Sequence, residues 1–190
     1  MRTAREMLNF ALTRGYGREG IIKRGAKHFA IIESQLAENE YVKFTFLGEY
    51  KRDAVENLGG MGFAVTDEKI IAGQQRIGGT KSKQFEIAQI NDISKRSYML
   101  FGEIVITTRN DMLSVLMNSG DANRTYNGLV RVLEEIRINR LKTEQRQKEA
   151  EQTSQYDFTM DIRRYKALAD EGYITYDDYE AIKRKLLGLY

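Results

Sequence analysis

Met61–Gln74 reads MGFAVTDEKIIAGQ, and this stretch decides the fold class. Its first half alternates, with Phe63 and Val65 on one side, as a strand with one buried face requires. The alternation breaks at Asp67 and Glu68, which are polar residues of the kind found in tight turns. We therefore predict an antiparallel hairpin whose second strand runs from Lys69 to Gln74.

The same two-residue period occurs on both sides of this hairpin. Upstream, Tyr41–Tyr50 alternates apolar with polar side chains, and downstream Phe85–Ile93 suggests another strand and a bend. Gly102–Thr107 and Leu113–Met117 then flank a polar turn. Short strands at hairpin spacing predict an antiparallel barrel or sandwich. We predict Asp121 as the N-cap of a helix that closes it, with the stripe Tyr126, Leu129, Val130, Leu133 and Ile136.

Residues 1–38 have helical rather than two-residue spacing, and they are basic. We predict one helix over Arg2–Thr13 and a second over Arg18–Ala37. The second has apolar residues on one face and lysines and arginines towards the other. Such helices could lie on an anionic membrane, dock on a partner or pack on the barrel, and the sequence does not choose among these.

The chain ends in two short helices that follow a polar stretch. Residues 141–155 hold no apolar anchors and form either a solvated helical extension or a linker. Within 156–190, we predict Gly172 as the left-handed residue that ends the first helix, and Thr175 as the N-cap of the second, with Asp178 completing a capping box. The apolar side chains expected to make contacts are Ile162, Tyr165, Leu168, Ile174, Tyr179, Ile182 and Leu186. So small a core should pack on the rest of the chain or on copies of itself.

Two segments resemble known families. Ile162–Thr175, continuing through Tyr179 to Leu187, resembles the SHOCT (short C-terminal) module, although Leu168 lies one residue further from Gly172 than in that family. The resemblance implies oligomerisation or protein contact in a bacterial or phage protein, and no catalytic residues. Gly62–Ile71 and Phe85–Ile93 are similar to bacterial pleckstrin-homology-like (PH-like) domains, over roughly residues 40–140.

These observations give an α+β fold class and four segments. Basic amphipathic helices occupy 1–38, and a PH-like antiparallel β-barrel or sandwich closed by a helix occupies 40–140. The helical extension or linker spans 141–155, and a small two-helix SHOCT-like module spans 156–190.

The sequence contains few residues or motifs of the kind that catalysis requires. There is no Cys, and His28 is the only histidine, so a metal site of nitrogen and sulfur ligands cannot be assembled. The Gly-rich stretches 59–62 and 73–80 lack the Gly-Lys-Ser/Thr of a phosphate loop, and we predict hairpin loops with positive φ there. We therefore predict a non-enzymatic protein with no cofactor and no metal.

We expect a cytoplasmic protein. The apolar run near the N-terminus is interrupted by Asn9 and Thr13 before a signal peptide could form, and no stretch approaches a membrane span. The absence of Cys agrees with a reducing compartment.

Basic side chains define the remaining candidate surface. Its members are Arg18, Lys23, Arg24, Lys27, Lys81, Lys83, Lys95 and Arg96. A solvated charged face is the simpler explanation for them, because sheet edges carry lysine to avoid aggregation. In the first hairpin, Lys51 and Arg52 are followed at once by Asp53 and Glu56, which argues against an inositol phosphate site.

The leading hypothesis is self-association through the C-terminal module, with the β-domain presented to a protein partner. The alternative is peripheral binding to anionic lipid through the basic helices and barrel loops. Nucleic-acid binding has the least support, since the net charge is only +3 and no stacking-aromatic or recognition-helix motif accompanies the basic residues.

Overall fold

The computed structural model describes residues 1–17, 19–51, 57–154 and 158–189, with the backbone alone at 19–23, 57–58 and 151–154. The chain divides into two compact units, Met1–Ile138 and Asn139–Tyr190.

One seven-stranded antiparallel sheet forms the centre of the first unit, in the order β4-β3-β2-β1-β7-β6-β5. Its strands are β1 (Phe44–Lys51), β2 (Asn57–Val65), β3 (Lys69–Arg76), β4 (Gly79–Glu86), β5 (Ile90–Ser97), β6 (Phe101–Thr108) and β7 (Met112–Asn118). The helices are α1 (Ala4–Thr13), α2 (Glu19–Glu33), α3 (Ser119–Ser154), α4 (Thr159–Asp170) and α5 (Tyr176–Leu186). A single 3-10 turn, Ile87–Gln89, joins β4 to β5.

The predicted α+β fold class is confirmed. Two meanders, β1–β4 and β5–β7, join where Glu49–Lys51 pairs with Ser114–Leu116. The hairpin that decided the fold is present, and in it Phe63 lies opposite Ala72 and Val65 opposite Ile70.

One face of the sheet packs against the first part of α3. Phe46 and Phe63 stack here with ring centroids 4.7 Å apart, and both are fully buried. From α3, Leu129, Leu133 and Ile136 complete this core. Val130, which we predicted on the same stripe, is exposed, because its place on the helix turns it away from the sheet.

The opposite face is covered by α1 and α2. Their buried side chains Met7, Phe29 and Ile32 pack with Leu47 and Ile71 of the sheet. We left three alternatives open for the N-terminal helices, and their buried apolar side chains follow the third, which is packing on the β-domain. As a result β3 has a run of buried residues in place of strict alternation.

Two of the predicted helix boundaries need correction. The second helix ends at Glu33, not Ala37, because Gln35 and Leu36 form tight turns with Ile32 and Glu33. Asp121 is not an N-cap: α3 begins at Ser119, so Asp121 lies in its first turn and pairs with Arg124.

Two glycines that we predicted in loops allow α2 to approach the sheet. Gly62 and Gly73 lie opposite each other on β2 and β3. A Cβ on Gly73 would lie 2.8 Å from the carbonyl oxygen of His28 and 2.8 Å from Ile32 Cγ1. Only a residue without a side chain allows this distance between helix and strand.

Other glycines fit the loop prediction in part. Gly59, at φ 79°, and Gly79, at φ 136°, have the left-handed backbone expected of them. However, Gly59 and Gly60 lie within β2, where a bulge opposite Tyr50 and Lys51 accommodates the unusual geometry.

The second unit contains the end of α3 together with α4 and α5. The side chains of residues 141–150 are all exposed, and the backbone stays helical to Ser154. This stretch is therefore a helical extension rather than an irregular linker.

Candidate functional site

The junction between α4 and α5 forms as predicted. Gly172 has φ 80°, and the amide of Tyr173 donates to the carbonyl of Leu168 at 2.9 Å, which closes the end of α4. The hydroxyl of Thr175 accepts from the amide of Asp178 at 3.1 Å, and the Asp178 carboxylate accepts in return. Hydrogen bonds from the Thr175 hydroxyl and amide hold the pKa of Asp178 below its usual value.

The predicted contact stripe of this module has little burial of its own. In α4 and α5, only Ala169 and Tyr179 are buried. The other predicted members are half-buried: Ile162, Tyr165, Leu168, Ile174, Ile182 and Leu186. Their partial exposure leaves apolar surface accessible on both helices.

Further apolar side chains in the module are more exposed still. Met160 is 77% exposed and Tyr173 is 74% exposed, and Tyr176, Leu187 and Leu189 are also exposed. Sequence reasoning missed these residues because it followed only the helical stripe. The sequence did contain a signal for them, because these apolar residues lie outside the predicted stripe, where a small two-helix module cannot bury them all.

The basic face of α2 is directed to solvent where it is described. Arg24 and Lys27 are exposed, whereas the neighbouring His28 is buried against β3. Of the other predicted members, Arg18 lies outside the described residues, and so does the side chain of Lys23.

Lys81 and Lys83 lie on the same face of β4, at alternate positions. Lys83 Nζ pairs with Asp111 and donates to the Tyr50 hydroxyl at 3.3 Å. Burial lowers the pKa of Lys83, but the hydrogen bonds to Asp111 and Tyr50 outweigh it and raise that pKa above its usual value. This lysine is therefore held within the β-domain as a charged partner of Asp111.

Lys95 and Arg96 lie on β5, at the other edge of the sheet order. Lys95 Nζ donates to Asn123 of α3 at 2.6 Å, and Arg96 lies 3.7 Å from the Glu103 carboxylate. The members of the predicted basic set that the structure describes thus occupy three elements, α2, β4 and β5, and on the sheet Lys83 and Arg96 have carboxylate partners. Lys81 and Lys83 are the pair that β4 places together.

The single histidine has a structural role. The Nδ1 atom of His28 accepts a hydrogen bond from the Gln75 amide at 3.0 Å, which ties α2 to β3. Burial, together with the positive charge of Arg24, lowers the pKa of His28. Across the described part of the chain, no group of three His, Cys, Asp or Glu side chains is placed to hold a metal ion.

A membrane-spanning helix is also missing from the described residues, since none of the helices combines the required length with sufficient hydropathy.

Apolar residues at one hairpin turn form a further surface that the sequence did not reveal. Tyr98, Met99, Leu100 and Phe101 connect β5 to β6, and all four are exposed. A short apolar run between two strands reads like strand sequence, so the pattern gave no signal that these side chains lie outside the core.

Comparison with known proteins shows likeness in fold. The chain is similar to the N-terminal PH domain of Vps36, with 15% identity and a TM-score of 0.44 over 53% of this chain and 84% of that one. It is also similar to a DUF1696 family protein with a pleckstrin-homology domain from Shewanella loihica PV-4, with 12% identity, a TM-score of 0.38, and 55% and 88% of the two chains covered. The C-terminal domain of an unknown protein from Leishmania infantum has 18% identity and a TM-score of 0.40, over 50% of this chain and 84% of that one. At these values the likeness carries no functional argument.

No protein-family model matches the sequence, and no curated protein matches it significantly. The resemblance of residues 156–190 to the SHOCT module therefore stays a prediction.

Proposed function

We propose that this chain is a non-enzymatic, cytoplasmic binding protein that self-associates through α4 and α5 and presents its PH-like β-domain to a protein partner. The observation that supports self-association is the small buried core of the α4–α5 pair, which consists of Ala169 and Tyr179. The SHOCT resemblance supports the same role and a bacterial or phage origin.

The physical argument concerns how two short helices stay folded. Isolated helices of this length are marginal in water, and capping adds only about 1 kcal/mol at one end. Burial of each half-buried stripe residue would add roughly 1.5–3 kcal/mol at most. Association of copies supplies that burial, since identical stripes are self-complementary in a symmetric assembly.

Point variants of the module test this proposal. Ile162→Asp and Leu186→Asp place a carboxylate on the half-buried stripe, and each should lower the mass measured by light scattering at a fixed protein concentration. Lys166→Asp on the exposed face of α4 is the matched control, and it should leave the mass unchanged. Equal masses for all three variants and the parent would contradict self-association through this stripe.

The partner of the β-domain is tested separately. A pull-down from native cells, with the full chain and with a chain lacking residues 156–190, separates the two roles. Partners that persist without the module bind the first unit. Loss of every partner would assign binding to the module and contradict presentation by the β-domain.

The alternative function, binding to anionic lipid through the basic helices, is favoured by the exposure of Arg24 and Lys27. Most of the large apolar side chains described in α1 and α2 pack on the sheet, although Leu12 is exposed, so these helices offer a membrane mainly charge. Such binding should weaken steeply as salt is added. Arg24→Glu together with Lys27→Glu should abolish it, and unchanged vesicle binding by that variant would reject this route.

A further inference from the structure

The β5–β6 turn carries four consecutive apolar residues, Tyr98–Phe101, which we call the hairpin tip. Met99 is 97% exposed and Leu100 is 71% exposed, and the two aromatic residues that flank them are exposed to a lesser degree. Large apolar side chains are rarely presented to water in a contiguous group without a binding role.

The conformation of the turn does not require these side chains. The Tyr98 amide donates to the Phe101 carbonyl at 2.7 Å, so Met99 and Leu100 occupy the two central positions. Neither residue has a positive φ, so the turn accepts most residue types and needs no apolar side chain at either position. The turn between β2 and β3 has the acidic Asp67 and Glu68 at the same positions. The conformation of the turn therefore does not explain why two exposed apolar side chains occupy the hairpin tip.

The hairpin tip is also fixed in place. The Ser119 amide, at the start of α3, donates to the Leu100 carbonyl at 3.3 Å. At the base of the turn, Gly102 lies so close to α3 that an added Cβ would be 2.3 Å from Ala122 Cβ. The hairpin tip is thus held by the helix while its central side chains stay exposed.

Three cations lie on the two elements next to the hairpin tip, β5 and α3. Lys95 and Arg96 precede it on β5, and Arg124 follows one turn into α3 and donates to the Gly15 carbonyl at 3.3 Å. The nearby carboxylates, Glu103 and Asp121, are each already paired with an arginine. The amine of Lys95 is bound to a neutral amide rather than to a carboxylate. Three cations against two carboxylates leave a net charge of +1 on these five residues.

We propose that the hairpin tip inserts into the interfacial region of an anionic phospholipid bilayer. Met99 and Leu100 would enter the boundary between headgroups and acyl chains, and Tyr98 and Phe101 would lie at headgroup level, where aromatic side chains are favoured. The amine of Lys95, which is bound to the Asn123 amide oxygen and not to a carboxylate, would meet an anionic headgroup. Apolar insertion combined with cationic attraction is the pattern of peripheral membrane binding. This surface is separate from both the α2 face and the C-terminal module.

The sequence contains no tryptophan, so a single introduced tryptophan reports by its fluorescence on its own position alone. Met99→Trp places a single tryptophan on the hairpin tip, and Ile77→Trp places one at the fully exposed β3–β4 turn as a matched control. Both full-length variants would be mixed with vesicles of phosphatidylcholine alone and with vesicles containing phosphatidylglycerol. With anionic vesicles, emission from position 99 should shift to shorter wavelength and be quenched by brominated acyl chains, and emission from position 77 should not.

Loss of binding is tested by Met99→Asp combined with Leu100→Asp, with Ile77→Asp as the control. The double substitution should lower vesicle partitioning in flotation about tenfold or more, since two apolar side chains are no longer transferred from water. Folding should be unaffected because both side chains are exposed.

Three results would overturn the proposal: unshifted emission at position 99, equal shifts at both positions, or flotation that the double substitution leaves unchanged. A fall in oligomer mass in the double variant, measured by light scattering without lipid, would instead assign the hairpin tip to contacts between copies. That outcome also overturns membrane insertion. Failure here leaves self-association through α4 and α5 intact, because the stripe variants test it independently.

Discussion

The first unit and the α4–α5 module bury apolar residues in different ways. In the first unit, helices cover both faces of the sheet, and Phe46, Phe63 and Ile71 are fully buried. In the module, Ala169 and Tyr179 are buried, while Met160 and Tyr173 stay largely exposed. The first unit therefore has the core of a self-sufficient domain, whereas the module has capped helices and an apolar surface that its own fold does not cover. This difference leads us to place assembly in the module.

The largest expected effect comes from the core of the first unit. Phe46→Ala removes one ring of the Phe46–Phe63 stack and should lower the free energy of unfolding by about 3–5 kcal/mol. Ile162→Ala in the module should leave this main transition unchanged in denaturant titrations. Similar losses for both variants would mean that the two regions share one core and would break the comparison.

The next effect concerns Gly73, one of the two glycines of β2 and β3 on which α2 packs. Gly73→Ala forces a methyl group against the backbone of His28 and should cost about 1–3 kcal/mol in chemical denaturation. Gly78→Ala is the matched control, since no atom lies within 4 Å of the place that an added Cβ would take and its backbone needs no left-handed conformation. It should cause no loss of stability. Equal losses of stability in the two variants would contradict the close packing of α2 on β3.

The same kind of N-terminal helix cap occurs once in each region. Thr3 with Glu6 caps α1, and Thr175 with Asp178 caps α5, each as a reciprocal capping box. Replacing either threonine by Ala should cost about 1 kcal/mol locally. Hydrogen exchange should quicken in α1 and the sheet beneath it for Thr3→Ala, but only within the module for Thr175→Ala. Faster exchange in the sheet after Thr175→Ala would contradict independent units.

The smallest effect at neutral pH comes from His28. Because its folded pKa is lowered, the unfolded chain binds the proton first as the pH falls. The contribution of His28 is therefore fully present above its ordinary pKa of 6.5 and is lost below it, as the pH falls through the folded pKa. A protonated Nδ1 can no longer accept from the Gln75 amide.

Denaturant titrations across this range measure the effect. The parent should lose stability on acidification below pH 6.5, and His28→Asn should lose less. An identical pH dependence in the two proteins would show that His28 does not couple α2 to β3 through its titration.

Much of the first unit could be predicted because its strands are short and regular. The Met61–Gln74 hairpin followed from an alternation that breaks at Asp67 and Glu68, and the turn at Gly172 followed from its place between two helical stripes. The docking of α1 and α2 did not follow, because an amphipathic helix indicates that one face is buried without indicating against what. Gly62 and Gly73 were placed in loops because glycine required by close packing reads the same as glycine required by a turn.

The candidate surfaces were predicted less completely. The stripe of the module was found by its helical period, yet the exposed Met160 and Tyr173 lie outside that period. The predicted basic residues were grouped by charge, but Lys83 and Arg96 have carboxylate partners outside their own strands, Asp111 for Lys83 and Glu103 for Arg96. Sequence position alone does not reveal which charges are already neutralised.

The most direct test of the account compares the full chain with a chain that ends at Ser154, by light scattering and thermal unfolding together. We predict that the full chain is oligomeric, and that the shortened chain is monomeric and unfolds at the same temperature. The contrary result would be an unchanged oligomer mass after removal of the module, or a first unit that no longer unfolds cooperatively without it.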